Sequence, residues 1–403
     1  MVAGLATSDS ITNPDKMFDN AGINLVKARA TRVYTDKKMV AVSDGREIPY
    51  DKILLAVGAS PVVPMIEGRD LDGVFTLRSV PDAEKIMRFL EERKAKRLVF
   101  IGAGFISLEM GTLLSGSKPE YYKMTVVGRR AHPLPFMLDT ELAFRLQEYL
   151  VAKGLEMKMG QEVTKILGQD GRVSAVELAT GERLDANMVI MSVGARANLE
   201  LAKDIGLEIG QFGIKVNKFL ETSNPDILAA GDCVSKEHFV TKKAVPAQIR
   251  GPAVIQGRLA AKRLAGYEIA FPGVLNAMAV KLFDKTVAAT GLTEAQARDT
   301  EGLETVSATV DSRSKHGMIH GAKPWTIKLV FRKDTQRLIG GQILSDSQAP
   351  AKEIDTVSAL ILGGKTIADL TTFICAGHPD CSSEPSLEPI AICAEQALQK
   401  LGK

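Results

Sequence analysis

The stretch that most constrains how this chain can fold is Arg97-Leu98-Val99-Phe100-Ile101-Gly102-Ala103-Gly104-Phe105-Ile106-Ser107-Leu108-Glu109. An apolar run with the character of a buried strand meets two glycines and passes straight into a helix. Gly102 permits the tight turn, and Gly104 lets backbone N–H groups approach a pyrophosphate closely. The phosphate then sits at the positive end of the helix, where unpaired donors and the macrodipole converge. Ser107 stands where a third glycine is usual, because helix and strand pack closely there, and its side chain is small enough to fit. The predicted helix carries Ile106, Met110, Leu113 and Leu114, and a second strand, Met124-Thr125-Val126-Val127, follows it. That succession points to a dinucleotide-binding unit rather than to a plain strand-turn-helix with incidental glycines.

At 403 residues the chain has room for two or three domains, each with its own core. With 45% hydrophobic and 25% charged residues it has an ordinary globular composition. A net charge of +3 gives no basis for a nucleic-acid or acidic-membrane partner. No window is apolar over the length of a bilayer span, and no signal-peptide pattern follows Met1, so a cytoplasmic location is expected. Cys233, Cys375, Cys381 and Cys393 are too few for a disulfide framework, which leaves only local, redox-active thiol chemistry.

Residues 1–30 are of mixed polar composition, with one short helical stretch at 15–21. Strands are predicted at 25–33 and 38–43, followed by a hairpin turn at Asp44-Gly45. Residues 48–61 read as a hydrophobic strand that stops at Gly58-Ala59-Ser60-Pro61, exposing backbone at the carboxyl end where open α/β sheets bind ligands. Asp139-Thr140 reads as the cap of a helix with Leu142, Leu146, Tyr149 and Leu150 on one face and Gly154 closing it. Residues 155–194 are rich in β-formers and end in a strand that stops at Gly194. Another short strand, Ile227-Leu228-Ala229-Ala230, delivers Gly231 and Asp232 to its end, where the carboxylate can accept from sugar or sugar-alcohol hydroxyls. A helix with small residues is predicted over 250–264, and Pro272-Gly273 marks a boundary. Beyond it lie strands at 326–331 and 338–344 and a helix at 354–362, with Trp325 as core and Gly340-Gly341 as a turn.

Taken in order, these runs resemble the FAD-dependent pyridine nucleotide–disulfide oxidoreductase family, in particular its NADH oxidase, coenzyme A-disulfide reductase and rubredoxin reductase branch. The resemblance runs from Lys38 onward. It implies an α/β fold with two Rossmann-like nucleotide-binding domains, the FAD one incomplete at its N-terminus, and a C-terminal α+β dimerisation domain. The implied divisions are 1–84 with 213–271 for FAD, 85–212 for NAD(P), and 272–403 for dimerisation. By the resemblance Gly58, Gly231 and Asp232 touch FAD, with Asp232 on the ribityl chain. Gly102, Gly104 and Ser107 carry the nicotinamide dinucleotide, Glu109 lies near its carboxamide, and Gly194 lies beside it. A homodimer is implied.

Three departures accompany the resemblance. The family opens with its own Gly-x-Gly-x-x-Gly unit for FAD, a strand-turn-helix of about 30 residues, which residues 1–30 lack. The chain is therefore expected to start internally to a longer gene product, or else to bind FAD poorly. The redox cysteine that follows that unit in disulfide reductases has no counterpart before Cys233, which reads as a small buried residue. The family's C-terminal His-Pro, with a glutamate five residues after the histidine, becomes His378-Pro379 with Glu384 six residues on. The resemblance makes His378 an acid–base group in the neighbouring subunit's site. The alternative is a polar loop residue at the dimer interface. Cys375 and Cys381 flank it as a candidate thiol pair whose thiolate the imidazole would favour, and Cys393 reads as core.

The second Rossmann strand ends in Val126-Val127-Gly128-Arg129-Arg130. It carries no carboxylate for a ribose 2′-hydroxyl, and two guanidinium groups able to grip a 2′-phosphate. This favours NADPH over NADH, unless both arginines are solvated surface charges. The expected activity is FAD-dependent NAD(P)H oxidation, with hydride passing to flavin and on to a disulfide, a small redox protein or oxygen. The competing reading is a non-catalytic NAD(P)-binding dimeric scaffold, or a piece of a split oxidoreductase, without FAD. No metal site is expected, and no basic stripe or aromatic platform supports nucleic-acid binding.

Overall fold

Val99 and Phe100 point to opposite faces of one strand and both are buried, as only a strand covered on both sides requires. In the computed structural model, which describes residues 1–118, 120–300 and 302–402, Arg97–Ile101 is the middle of five parallel strands. The order is Val74–Phe75, Met188–Met191, Arg97–Ile101, Lys123–Gly128 and Glu156–Met159. Leu98, Phe100, Val126 and Ile190 face a core built with helices Val80–Arg93, Phe105–Ser117 and Thr140–Ala152. Val99, Ile101, Val127 and Val189 face the other way, onto an antiparallel sheet of Val163–Gln169, Arg172–Leu178 and Arg183–Asp185. The division drawn at residue 85 falls inside Val80–Arg93, and Val74–Phe75 already belongs to the parallel sheet.

Helix Phe105–Ser117 turns one face to the parallel sheet. Ser107, Leu108, Met110, Gly111 and Leu114 are buried, whereas Ile106 and Leu113 are exposed. Small Ser107, read from the sequence as a close-packing position, and Gly111, which was not, bring the helix close to the sheet.

The flanking segments form smaller sheets. Ala30–Tyr34, Met39–Val42 and Glu47–Pro49 make a three-stranded meander, and residues 25–29 lie outside it. The strand expected over 48–61 is broken into Glu47–Pro49, Ile53–Leu55 and Ala59–Pro61, each ending at or near a proline or glycine. Ile53–Leu55 pairs in parallel with Ile227–Ala229, and Ala59–Pro61 pairs antiparallel with Ala195–Ala197. Helix Arg250–Leu264 occupies the predicted residues.

The C-terminal part is an antiparallel sheet of five strands, ordered Met278–Leu282, Lys285–Gly291, Leu338–Ser345, Pro324–Arg332 and Thr305–Arg313. Glu353–Leu362 and Pro389–Lys400 pack on it, with Trp325 and Cys393 in the shared core. Gly340-Gly341 is not a turn but the middle of a fully buried strand. A Cβ on Gly340 would lie 1.9 Å from the Leu292 carbonyl oxygen, and one on Gly341 would lie 2.7 Å from Cγ1 of Val357. Asp139 likewise departs from expectation. Its carboxylate makes no bond to its own helix and instead accepts from the N–H groups of Glu294 and Ala295, at 3.1 and 3.2 Å, at the start of Glu294–Arg298. No described helix is long and apolar enough to cross a membrane.

Candidate nucleotide-binding site

The backbone at Gly102 has φ +110° and donates its N–H to the Val127 carbonyl at 2.8 Å. A Cβ there would lie 2.2 Å from the Ser192 carbonyl oxygen, so the turn is wedged between the two neighbouring strands and admits no side chain. Gly104 is different. It is the N-cap of Phe105–Ser117, with φ −93° and no side-chain cap, and a Cβ on it would meet nothing within 4 Å. The first-turn N–H groups therefore face open space, and no acidic residue sits in that turn to compete for them. Below the turn, a Cβ on Gly128 would lie 2.8 Å from that of Ala103, which explains a glycine at the end of the second strand. Ser107 is fully buried with its Oγ unpartnered, and Glu109, half-buried two residues further on, has its carboxyl pKa raised by burial.

Arg129 and Arg130 follow Lys123–Gly128 and are exposed. Arg129 lies 3.8 Å from Glu162, a loose pair in solvent that leaves its guanidinium available. Gly194 follows Met188–Met191 and accepts from the Val62 N–H at 2.9 Å, while Asn198 donates to the carbonyls of Gly58 (3.1 Å) and Val57 (2.9 Å). The structure thus joins Gly58 and Gly194 at one crossing between the two nucleotide-binding regions. Ala195–Ala197 then packs on the 3₁₀ turn Gly231–Cys233, carrying this chain of contacts from Gly102 to Asp232.

Asp232 is mostly buried, and its Oδ2 accepts from Nη2 of Arg78 at 2.5 Å. Its Oδ1 is buried without a partner. Around it, Lys236 donates to the Gly231 carbonyl at 2.6 Å, with burial lowering its ammonium pKa against the pull of Asp232. Gln256 accepts from the Gly231 N–H at 2.9 Å. Cys233 is buried and its thiol pKa is raised by that burial, which disfavours the thiolate. Sequence reasoning missed Arg78, Lys236 and Gln256. Arg78 precedes a legible capping box, Ser79 with Asp82, but nothing local ties it to a carboxylate so distant in the chain.

The C-terminal candidates stand elsewhere. His378 and Cys381 are exposed and Cys375 partly so, on a segment resting against residues 312–316 of the same chain. Pro379 accepts from the His316 N–H at 2.9 Å, and Ser383 donates to the Arg313 carbonyl at 2.7 Å. Glu384 pairs with Nε2 of His316 at 2.8 Å, so the carboxylate displaced by one position serves a different imidazole. Among the described contacts, none joins these thiols or His378 to Asp232 or the Gly102 turn.

The residues present fit a dinucleotide at Gly102 and Gly104, and they fit a flavin at its ribityl end, where a hydroxyl would satisfy the orphaned Oδ1 of Asp232. Among the described residues a strand that turns through glycines directly into a long helix occurs once, at 97–117. A depression of about 540 Å³ beside Arg298, Glu304 and Lys333 contains none of these groups; its rim is solvated, and no unpartnered buried atom points to a ligand there.

The chain belongs to the pyridine nucleotide-disulphide oxidoreductase family, whose sequence profile matches residues 7–252, with the family's dimerisation domain matching residues 277–388. It is 36% identical over 355 residues to an NADH oxidase of Methanocaldococcus jannaschii, covering 88% of this chain and 77% of that one. It is 32% identical over 395 residues to an NAD(P)H coenzyme A polysulfide/persulfide reductase of Pyrococcus horikoshii, covering 97% and 85%. Its fold matches that of an NAD-dependent persulfide reductase from A. fulgidus with a TM-score of 0.92 at 33% identity, over 99% of this chain and 74% of that one.

Proposed function

We propose that the chain is an NAD(P)H-dependent flavin oxidoreductase that passes electrons from a nicotinamide dinucleotide to a low-molecular-weight disulfide or polysulfide, or to oxygen. The observation that carries this reading is the continuous path from the Gly102 turn through Ser192 and Ala195–Ala197 to the orphaned oxygen of Asp232. The names of the relatives, NADH oxidase and coenzyme A polysulfide/persulfide reductase, support the choice of acceptors.

When bound, the flavin supplies the two-electron chemistry. The chain's own residues bind and orient. The first-turn N–H groups of Phe105–Ser117 receive a pyrophosphate, and Oδ1 of Asp232 accepts from a hydroxyl. Arg78 holds Oδ2, which fixes the carboxylate in direction. Glu109, near the nicotinamide carboxamide, holds its proton to higher pH than an exposed glutamate because burial disfavours its charge. Arg129 and Arg130 grip a 2′-phosphate and favour NADPH. His378, Cys375 and Cys381 are offered to a second copy of the chain in a homodimer.

Visible absorbance of the purified chain and anaerobic titration with NADPH and NADH test the proposal. Near-stoichiometric flavin, bleached by either coenzyme and with higher kcat/KM for NADPH, is the expected result. A colourless protein that still binds NADPH would establish the scaffold reading instead. Higher kcat/KM with NADH would remove the role given to Arg129 and Arg130.

A further inference from the structure

Residues 129–139 connect the second strand of the parallel sheet to helix Thr140–Ala152. The loop starts at Arg129 and Arg130. Its middle residue of note, Leu134, is buried with φ +49° and donates its N–H to the carbonyl of Ala103, inside the glycine turn, at 3.0 Å. The Leu134 carbonyl in turn accepts from the N–H groups of Met137 (2.9 Å) and Leu138 (3.0 Å), so the loop is a folded unit that presses on the turn.

Its far end is held from another domain. The Asp139 N–H donates to Oε1 of Gln342 at 2.7 Å, and Nε2 of Gln342 donates back to Oδ2 of Asp139 at 2.6 Å. Lys328, 1% exposed, lies 3.0 Å from the same oxygen and also pairs with Glu141 and Glu294. The carboxylates of Asp139, Glu141 and Glu294 gather as they would around a cation, and the Lys328 ammonium is that cation. An apolar contact would join two domains as firmly as a buried ion cluster. The reciprocal amide pair does something an apolar contact does not: it fixes the backbone and the side chain of one residue in a single register.

We propose that Gln342 and Lys328 are positioning residues for coenzyme binding: by holding Asp139 they fix loop 129–139, and through Leu134 and Ala103 they fix the turn that receives the pyrophosphate and the arginines that receive the 2′-phosphate. The inference rests on the reading of the Gly102 turn as the coenzyme site.

The test uses the full chain and two probes, NADPH and NADH, with binding read from nicotinamide fluorescence and loop order from amide hydrogen exchange. Gln342→Met removes both amide bonds at nearly constant volume. The expected result is faster exchange across 129–138 and about a tenfold loss of NADPH affinity, less than gross misplacement of a reacting group produces. The loss should appear in KM rather than kcat, with exchange in Arg97–Ile101 and Pro324–Arg332 unchanged. Unchanged affinity, or unchanged loop exchange, overturns the inference while leaving the coenzyme site intact. A wild-type chain that binds neither probe overturns the coenzyme reading and this inference with it. Should Gln342→Met loosen the strands as well, Gln342→Glu decides by the same readings, since it retains an acceptor for the Asp139 N–H: loop and affinity must move without the strands, or the role is merely structural.

Discussion

Two glycines two positions apart in one turn have opposite reasons for lacking a side chain. Gly102 is excluded by the protein itself, because a methyl group there would strike the Ser192 carbonyl and force a residue into positive φ. Gly104 is free of its own structure and constrained only by what docks in front of it. Gly102→Ala is therefore expected to destabilise the fold by about 2 kcal/mol or more in urea unfolding. Gly104→Ala should leave stability within about 0.5 kcal/mol and weaken dinucleotide binding in a fluorescence titration. Equal stability losses in the two variants would mean that the open space before the helix is not where the ligand sits. The cysteines divide just as sharply. Cys233 and Cys393 are buried with thiol pKa values raised by burial, whereas Cys375 and Cys381 reach solvent. Iodoacetamide should label Cys375 and Cys381 in the native protein and the other two only after denaturation, as mass mapping would show; rates no faster than free cysteine would remove the redox role considered for Cys375 and Cys381.

At the scale of elements, the interdomain cluster sets a pH response. Burial pushes the Asp139 pKa up, but the Gln342 hydrogen bond and the Lys328 charge outweigh it, so the carboxyl lies below its ordinary range. A depressed carboxyl pKa stabilises the fold fully above the unfolded value near pH 4, and that stabilisation is lost as pH falls through the folded value. Lys328→Met should cost about 3–5 kcal/mol near neutrality by leaving buried carboxylates unpaired. It should also flatten the acid limb of stability against pH below the unfolded carboxyl value near pH 4, because Asp139 then loses its main cation. A variant with an unaltered acid limb would show that Lys328 does not set the Asp139 titration. None of this was legible in the chain. Asp139 before a helix has the local signature of a cap, and only the tertiary fold reveals that it caps a helix of another domain. The strand-glycine-helix unit was legible because its signal is local and periodic, as was Arg250–Leu264. Residues 48–61 were misread as one strand because apolar character hides the breaks that Pro49 and Gly58 impose. Ile106 and Leu113, read only as apolar residues of that helix, turn out exposed, because hydrophobicity, unlike small Ser107 and Gly111, says nothing about how closely a helix must approach its sheet.

For the molecule as a whole, the dimerisation-domain match spans the segment that carries His378, Cys375 and Cys381. Ile374 there is 94% exposed, and Met318, just after residues 312–316, is 87% exposed. Large apolar side chains so bare are the kind a second subunit covers. The chain is expected to sediment as a dimer, and Ile374→Asp to raise the dissociation constant about tenfold or more by burying a charge at the contact; an unchanged constant would place the interface elsewhere. The glycine pair in Leu338–Ser345 has a broader consequence. Consecutive residues of a strand face opposite ways, so two hydrogens in succession make a notch on each side of the sheet at the same level. The 292 backbone settles into one notch and the 353–362 helix into the other. Three layers are thereby gauged by the smallest spacer a polypeptide owns, and any drift in sequence at that waist has only one direction to go, which is wider.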